Sequence, residues 1–87
     1  MIYVKKHRTR YGDLIALCDE EVLEKLSDYK EFFNGELVEE TGVIIEEYMS
    51  INAWGERSIA VLKSKFKNIE KAVKMINGIP HVQVYRV

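Results

Sequence analysis

NGIPHVQVYRV, residues 77–87, decides what kind of fold this chain makes. A turn at Asn77-Gly78 leads through Pro80 into strict alternation, with Val82 and Val84 on one side and His81, Gln83 and Tyr85 on the other. A period of two residues is the mark of a half-buried β-strand. The preceding KAVKMI, residues 71–76, supplies a strand to pair with across that turn, so the segment reads as a hairpin. The opposite end of the chain alternates in the same way. In IYVKKHR, residues 2–8, Ile2, Val4 and Lys6 share one face, and Tyr3, Lys5 and His7 share the other. RTRYGD then turns at Gly12-Asp13. LIALC, residues 14–18, is an apolar run too short for a helix and reads as a buried strand pairing back on the first.

The middle of the chain reads as mostly helical. Asp19 has the chemistry of a helix cap, with Glu20 and Glu21 suited to the positive end of the dipole and Val22, Leu23 and Leu26 forming the apolar side. YKEFF, residues 29–33, reads as a third strand closed by Asn34-Gly35. Ile44, Tyr48 and Ile51 stand at i, i+4 and i+7, which predicts a helix from Glu39 to Ser50 whose first turn Gly42 weakens. INAWGER interrupts, and a second helix is predicted to about Lys67, with Ile59, Leu62 and Phe66 as its buried stripe. The expectation is one α+β domain over residues 1–87: a mainly antiparallel sheet with strands from both chain ends and two to three helices between.

Composition fits that reading. Hydrophobic residues at 47% and charged residues at 31% belong to a globular chain, not a disordered one. A chain of 87 residues has room for one core, and pairing into a homodimer would enlarge it. The single Cys18 cannot close an internal disulfide, which favours a reducing, cytoplasmic setting. No apolar stretch approaches the roughly 20 residues that span a bilayer, and the opening residues read as strand, not as a secretory leader. The net charge of −1 conceals strong segregation. Residues 1–18 carry +3, residues 19–47 carry −9 and residues 48–87 carry +5.

Four motifs, CDEEVLEK from Cys18, FNGELV from Phe33, NAWGE from Asn52 and NGIPHVQVYRV from Asn77, occur in the order found in an archaeal family, domain of unknown function 424. The chain resembles that family nearly end to end, at Cys18 to Glu21, Gly35 to Val38, Asn52 with Gly55, and Gly78 with Pro80 and His81. It departs in being shorter between Lys25 and Phe33 and in having Asn77 where glycine is usual, so a site built by the longer segment would be missing. The resemblance implies a small archaeal cytoplasmic protein with a role connected to RNA or translation.

Three sets of residues are candidates for function. If the terminal strands share a sheet, Tyr3, Lys5 and His7 join His81, Gln83 and Tyr85 on one polar face. Aromatic rings stack on unpaired bases, cations hold phosphates and amides read base edges, so such a face suits single-stranded RNA. The same face also reads as the solvated side of an antiparallel sheet, in which tyrosine is favoured for its own sake. Lys5, Lys6, Arg8 and Arg10 would position phosphates, with Lys63, Lys65, Lys67 and Arg86 extending the surface if the fold gathers them. Asn52 with Gly55 reads either as a ligand-holding break between helices or as an ordinary cap and packing glycine. His81 has the chemistry of a general base, but no nucleophile or carboxylate stands at a spacing that nominates it as a partner. Two histidines and one cysteine match no metal-ligand pattern, and no cofactor is called for. A non-catalytic module binding RNA or a ribonucleoprotein is the preferred expectation. The alternative is a small enzyme or ligand-binding protein with a pocket near Asn52, Gly55 and His81; the acidic middle of the chain suits either a basic protein partner or plain solvation.

Overall fold

The alternation at the two chain ends builds the flanks of one six-stranded sheet. In the computed structural model, which describes residues 1–86, the strands are β1 (Ile2–Thr9), β2 (Gly12–Asp19), β3 (Glu36–Val38), β4 (Ser50–Trp54), β5 (Lys74–Ile76) and β6 (Ile79–Val84). Their spatial order is β3-β1-β2-β4-β6-β5. Among the described residues only the central β2–β4 pair is parallel, and the other four pairings are antiparallel. The helices are the single turn α1 (Lys30–Phe33) and α2 (Glu56–Lys65). The fold is α+β, as expected. Val87, the end of the expected last strand, lies outside the described residues.

Register assigns every strand residue to a face. Ile2, Ile15, Leu17, Ile51, Ala53 and Val82 point to one side, where α2 covers them with Ile59 and Leu62. This is the main core, and Leu17, Ile51, Leu62 and Val82 are fully enclosed in it. On the other side, Ala16 and Cys18 pack beneath Val22, Leu23, Leu26 and Phe33 in a smaller core. Cys18 is fully enclosed there, and burial, with the nearby Asp19 and Glu21 carboxylates, pushes its thiol up to about 12. It packs as a small apolar side chain.

Three expectations fail in the middle of the chain. YKEFF is not a strand: residues 23–29 form 3-10 turns and α1 continues to Phe33, because the aromatic rings anchor this segment on the sheet. The helix expected over Glu39–Ser50 is absent; Glu40–Gly42 make one 3-10 turn and Ser50 already begins β4. Two of its three stripe residues are outside, Ile44 74% and Tyr48 61% exposed, while Ile51 is buried as part of β4, and the consecutive β-branched Val43, Ile44 and Ile45 oppose helix. INAW is thus no interruption but a central strand. The sequence reading also missed β3, which can reach β1 because Gly35 passes against the Val4 carbonyl, where a Cβ would collide.

Asp19 is a cap, but of a helix remote in sequence. Its carboxylate accepts from the backbone N–H of Arg57 (2.8 Å) and from both the N–H and the hydroxyl of Ser58 (2.8 Å each). It thereby satisfies the first turn of α2, whose own cap position is Gly55. Gly55 has φ +108 and lies so close to Asp19 that a Cβ would overlap its Cγ. The β2–β4 pairing and the seating of α2 thus share one polar joint.

Candidate nucleobase cleft

The second face of the sheet is only half covered. Tyr3, Lys5 and His7 of β1 lie on the same face as Asn52 and Trp54 of β4 and His81 and Gln83 of β6. The terminal strands are not neighbours, however; β2 and β4 separate them. The β1 row is taken up by the segment around α1. His7 stacks on Phe32 with centroids 4.1 Å apart and donates from Nε2 to the Phe32 carbonyl at 2.8 Å. Lys5 donates to the Glu31 carbonyl at 2.6 Å, and Tyr3 packs into the smaller core. These residues hold a structural element in place.

Between α1 and the uncovered β4–β6 strands runs a cleft of about 550 Å³. Asn52, Trp54, His81 and Gln83 form its floor, Tyr29 and Phe32 stand along one wall, and Tyr85 closes one end. Cross-strand pairing sets the floor: Trp54 opposes His81, and Asn52 opposes Gln83. The Trp54 and His81 rings stack with centroids 3.9 Å apart and planes 22° from parallel. His81 Nε2 lies 2.9 Å from Asn52 Oδ1. That oxygen only accepts, so Nε2 carries the proton. Burial, with the Lys74 ammonium opposite on β5, lowers the His81 pKa from 6.5, so the ring is neutral at pH 7. Gln83 donates through Nε2 to the Tyr85 hydroxyl.

Two further hollows share residues with the cleft. Tyr85 and Leu14 also border one of about 330 Å³, together with Tyr11 and Arg86. Tyr29 and Trp54 also border another of about 390 Å³, together with Lys25 and Asn77. Arg10 lies with its guanidinium 5.8 Å from the Tyr11 ring, beside the first of these hollows.

Asn52 and His81, both picked out from sequence, therefore meet directly, and Gln83 and Tyr85 adjoin them. Gly55 does not join them, since it is buried against Asp19. Lys6 and Arg8 point to the α2 side of the sheet, and Arg8 approaches Asp13 at 3.7 Å. Lys63 and Lys65 belong to α2, so the basic chain ends do not converge on the cleft face. Sequence reasoning passed over Tyr29, Phe32, Lys25 and Lys74. Trp54 joins the cleft floor because it alternates with Ala53 and so faces away from the main core. Among the described residues no group of three or more His, Cys, Asp and Glu could hold a metal, and no helix is long and apolar enough to cross a membrane.

No family model and no curated protein matches the sequence. One solved structure is similar along almost its whole length, covering 99% of this chain and 94% of that one with a TM-score of 0.67 at 22% identity. It is the crystal structure of an uncharacterized conserved protein from Methanopyrus kandleri, and it establishes that this α+β fold is shared with an archaeal protein.

Proposed function

We propose that this chain is a non-catalytic module that takes up an unpaired base of single-stranded RNA in the cleft between α1 and the β4–β6 strands. The observation carrying this reading is the aromatic cleft floored by two amides and a neutral imidazole. Its volume falls within the roughly 300–1,000 Å³ of small-ligand sites. Flat rings along the walls and floor match the faces of a base, and side-chain amides match its edge. The adjoining hollows offer a strand a path along this face, with Lys25 beside one of them. Lys74 stands beside His81 on the open edge of the same face. These cations, with Arg10, take the place of the Lys5, Lys6 and Arg8 cluster expected from sequence. The four motifs quoted above support placing the chain with domain of unknown function 424.

The convergence of Asn52 and His81 also favours a free planar heteroaromatic ligand as a second reading. An enzyme centred on Asn52, Gly55 and His81 has less support, because Gly55 stands outside the cleft.

The test is titration of a labelled single-stranded RNA pool at about 50 and 200 mM salt, a range over which counterion release is large. Binding at micromolar concentration or tighter is expected at the lower salt, weakened at the higher, and lost in His81→Ala. An absence of binding at the lower salt would rule RNA out as the ligand.

A further inference from the structure

The hydrogen bonds already made on the cleft floor fix which polar groups are left for a ligand. Asn52 Oδ1 is occupied by His81 Nε2–H, so the Asn52 amide nitrogen remains as a donor. Gln83 uses its amide nitrogen on the Tyr85 hydroxyl, so its carbonyl oxygen remains as an acceptor. The Tyr85 hydroxyl accepts from Gln83 and keeps its own proton to donate. Asn52 and Gln83 are direct cross-strand partners, and Tyr85 follows two residues beyond Gln83. The free groups thus run donor, acceptor, donor.

We propose that the cleft selects the imide edge of uracil, shared by thymine, over cytosine, with Asn52 donating to O4, Gln83 accepting from N3–H and Tyr85 donating to O2. This inference rests on the base-binding reading above. Uracil presents acceptor, donor, acceptor and meets all three groups. Cytosine presents an amino donor and then a bare N3 acceptor, so it sets donor against donor at Asn52 and acceptor against acceptor at Gln83. Guanine fails at the third position, where its amino group meets the Tyr85 proton. Adenine pairs its amino group with Asn52 and its N1 with Gln83, donor against donor and acceptor against acceptor. A wrong pairing leaves polar groups unmatched in a half-enclosed site, which is what discriminates between bases.

Trp54 is the chain's single tryptophan, and it forms part of the cleft floor, so its fluorescence reports occupancy. We would titrate the intact protein with octamers of U, C and A as RNA and of dT as DNA, at one fixed salt concentration. The U octamer should bind about tenfold or more tightly than the C and A octamers. Equal dT binding would show that the imide edge alone is read, and weaker dT binding would show that the ribose is read too; either supports the proposal. Asn52→Asp replaces the O4 donor with an acceptor and should reduce the U-over-C ratio to below about threefold. Tyr85→Phe, at a residue 68% exposed and so safe for folding, should weaken U and C alike, because both carry O2. Equal U and C affinities in the unaltered protein would overturn the selection while leaving base stacking intact. Tighter C binding would overturn it as well. No response to any octamer would instead remove the base-binding reading itself.

Discussion

Asp19 is a buried carboxylate whose partners all come from one helix end, and this makes it the residue on which the two halves of the chain depend. It is 2% exposed and accepts three hydrogen bonds from Arg57 and Ser58. Removing it leaves two backbone N–H groups of α2 without a partner in a site closed to water. Loss of a cap costs about 1–2 kcal/mol, and an orphaned buried donor about 1–3 kcal/mol. Asp19→Ala should therefore lower unfolding free energy by about 3 kcal/mol, a large share of the roughly 5–15 kcal/mol a domain possesses. Gly55→Ala should be comparably harmful, because its φ of +108 disfavours any side chain and the added Cβ meets the same carboxylate. The two losses share part of their cause, since truncating Asp19 removes its Cγ and Oδ2, the two nearest atoms the new Cβ meets, while its own Cβ stays within 2.7 Å. In a double-mutant cycle from denaturant unfolding, the pair should cost at least about 1 kcal/mol less than the sum of the singles. Strict additivity would mean that the clash is relieved by backbone movement instead of by Asp19.

At the scale of elements, the cleft exists because a short, weakly helical segment is pinned to a strand. Residues 23–33 contain 3-10 turns, a positive-φ kink at Ser27 (φ 49) and only one turn of α-helix, so local propensity contributes little to their order. Their order comes from Leu23, Leu26 and Phe33 in the smaller core and from the His7 clamp on Phe32. An aromatic stack is worth about 0.5–1.5 kcal/mol and a hydrogen bond about as much. His7→Ala should accordingly destabilise by about 1–3 kcal/mol. Amide exchange should quicken at Phe32 to Asn34 while β4 keeps its protection, and RNA affinity should fall although His7 does not line the cleft. Uniform acceleration across β4 would show that the clamp supports the whole fold instead of one wall.

The same segment shows why sequence reading succeeded at the chain ends and failed in the middle. Strands β1, β2 and β6 advertise themselves by alternation or by an apolar run, and α2 by its 3.6-residue stripe. YKEFF is rich in aromatics and reads as strand, yet its rings are wanted as anchors on a neighbouring layer, a tertiary demand with no local signature. INAW carried the alternation of β4 in four residues, too few to prevail over the spurious helical spacing of Ile44, Tyr48 and Ile51. Asn52 and His81 were legible as unusual residues beside turns; that they touch depends on a β4–β6 register set by the core valines and isoleucines.

On the scale of the whole molecule, the decisive fact is which face each cation occupies. Summing charge along the sequence gives basic ends around an acidic centre, but a strand sends neighbouring residues to opposite faces, so a cluster such as Lys5-Lys6 is divided by the sheet itself. Lys63 and Lys65 ride on α2, which covers the face opposite the cleft. Lys74 stands on the cleft face of β5 and Lys25 borders the hollow beside Tyr29 and Trp54, whereas Arg86 holds its guanidinium 5.4 Å from the Phe66 ring, on the α2 side. If RNA follows the cleft, Lys25 and Lys74 meet its phosphates and the α2 pair does not. Each phosphate contact on a single strand contributes about 0.7 to the slope of log affinity against log salt. Lys25→Gln combined with Lys74→Gln should therefore flatten that slope by about 1.4 and weaken binding of all base sequences alike. Lys63→Gln combined with Lys65→Gln removes the same formal charge from the far side and should leave the slope unchanged, since screening over a distance of about 10 Å at 0.1 M salt isolates exposed charges from a ligand across the sheet. Measuring both double variants between about 50 and 200 mM salt separates local phosphate contacts from a general attraction to the protein's charge. Equal flattening in the two would mean that no face is preferred. Flattening in the Lys63/Lys65 variant alone would move the nucleic acid onto α2 and leave the aromatic cleft to a small uncharged ligand.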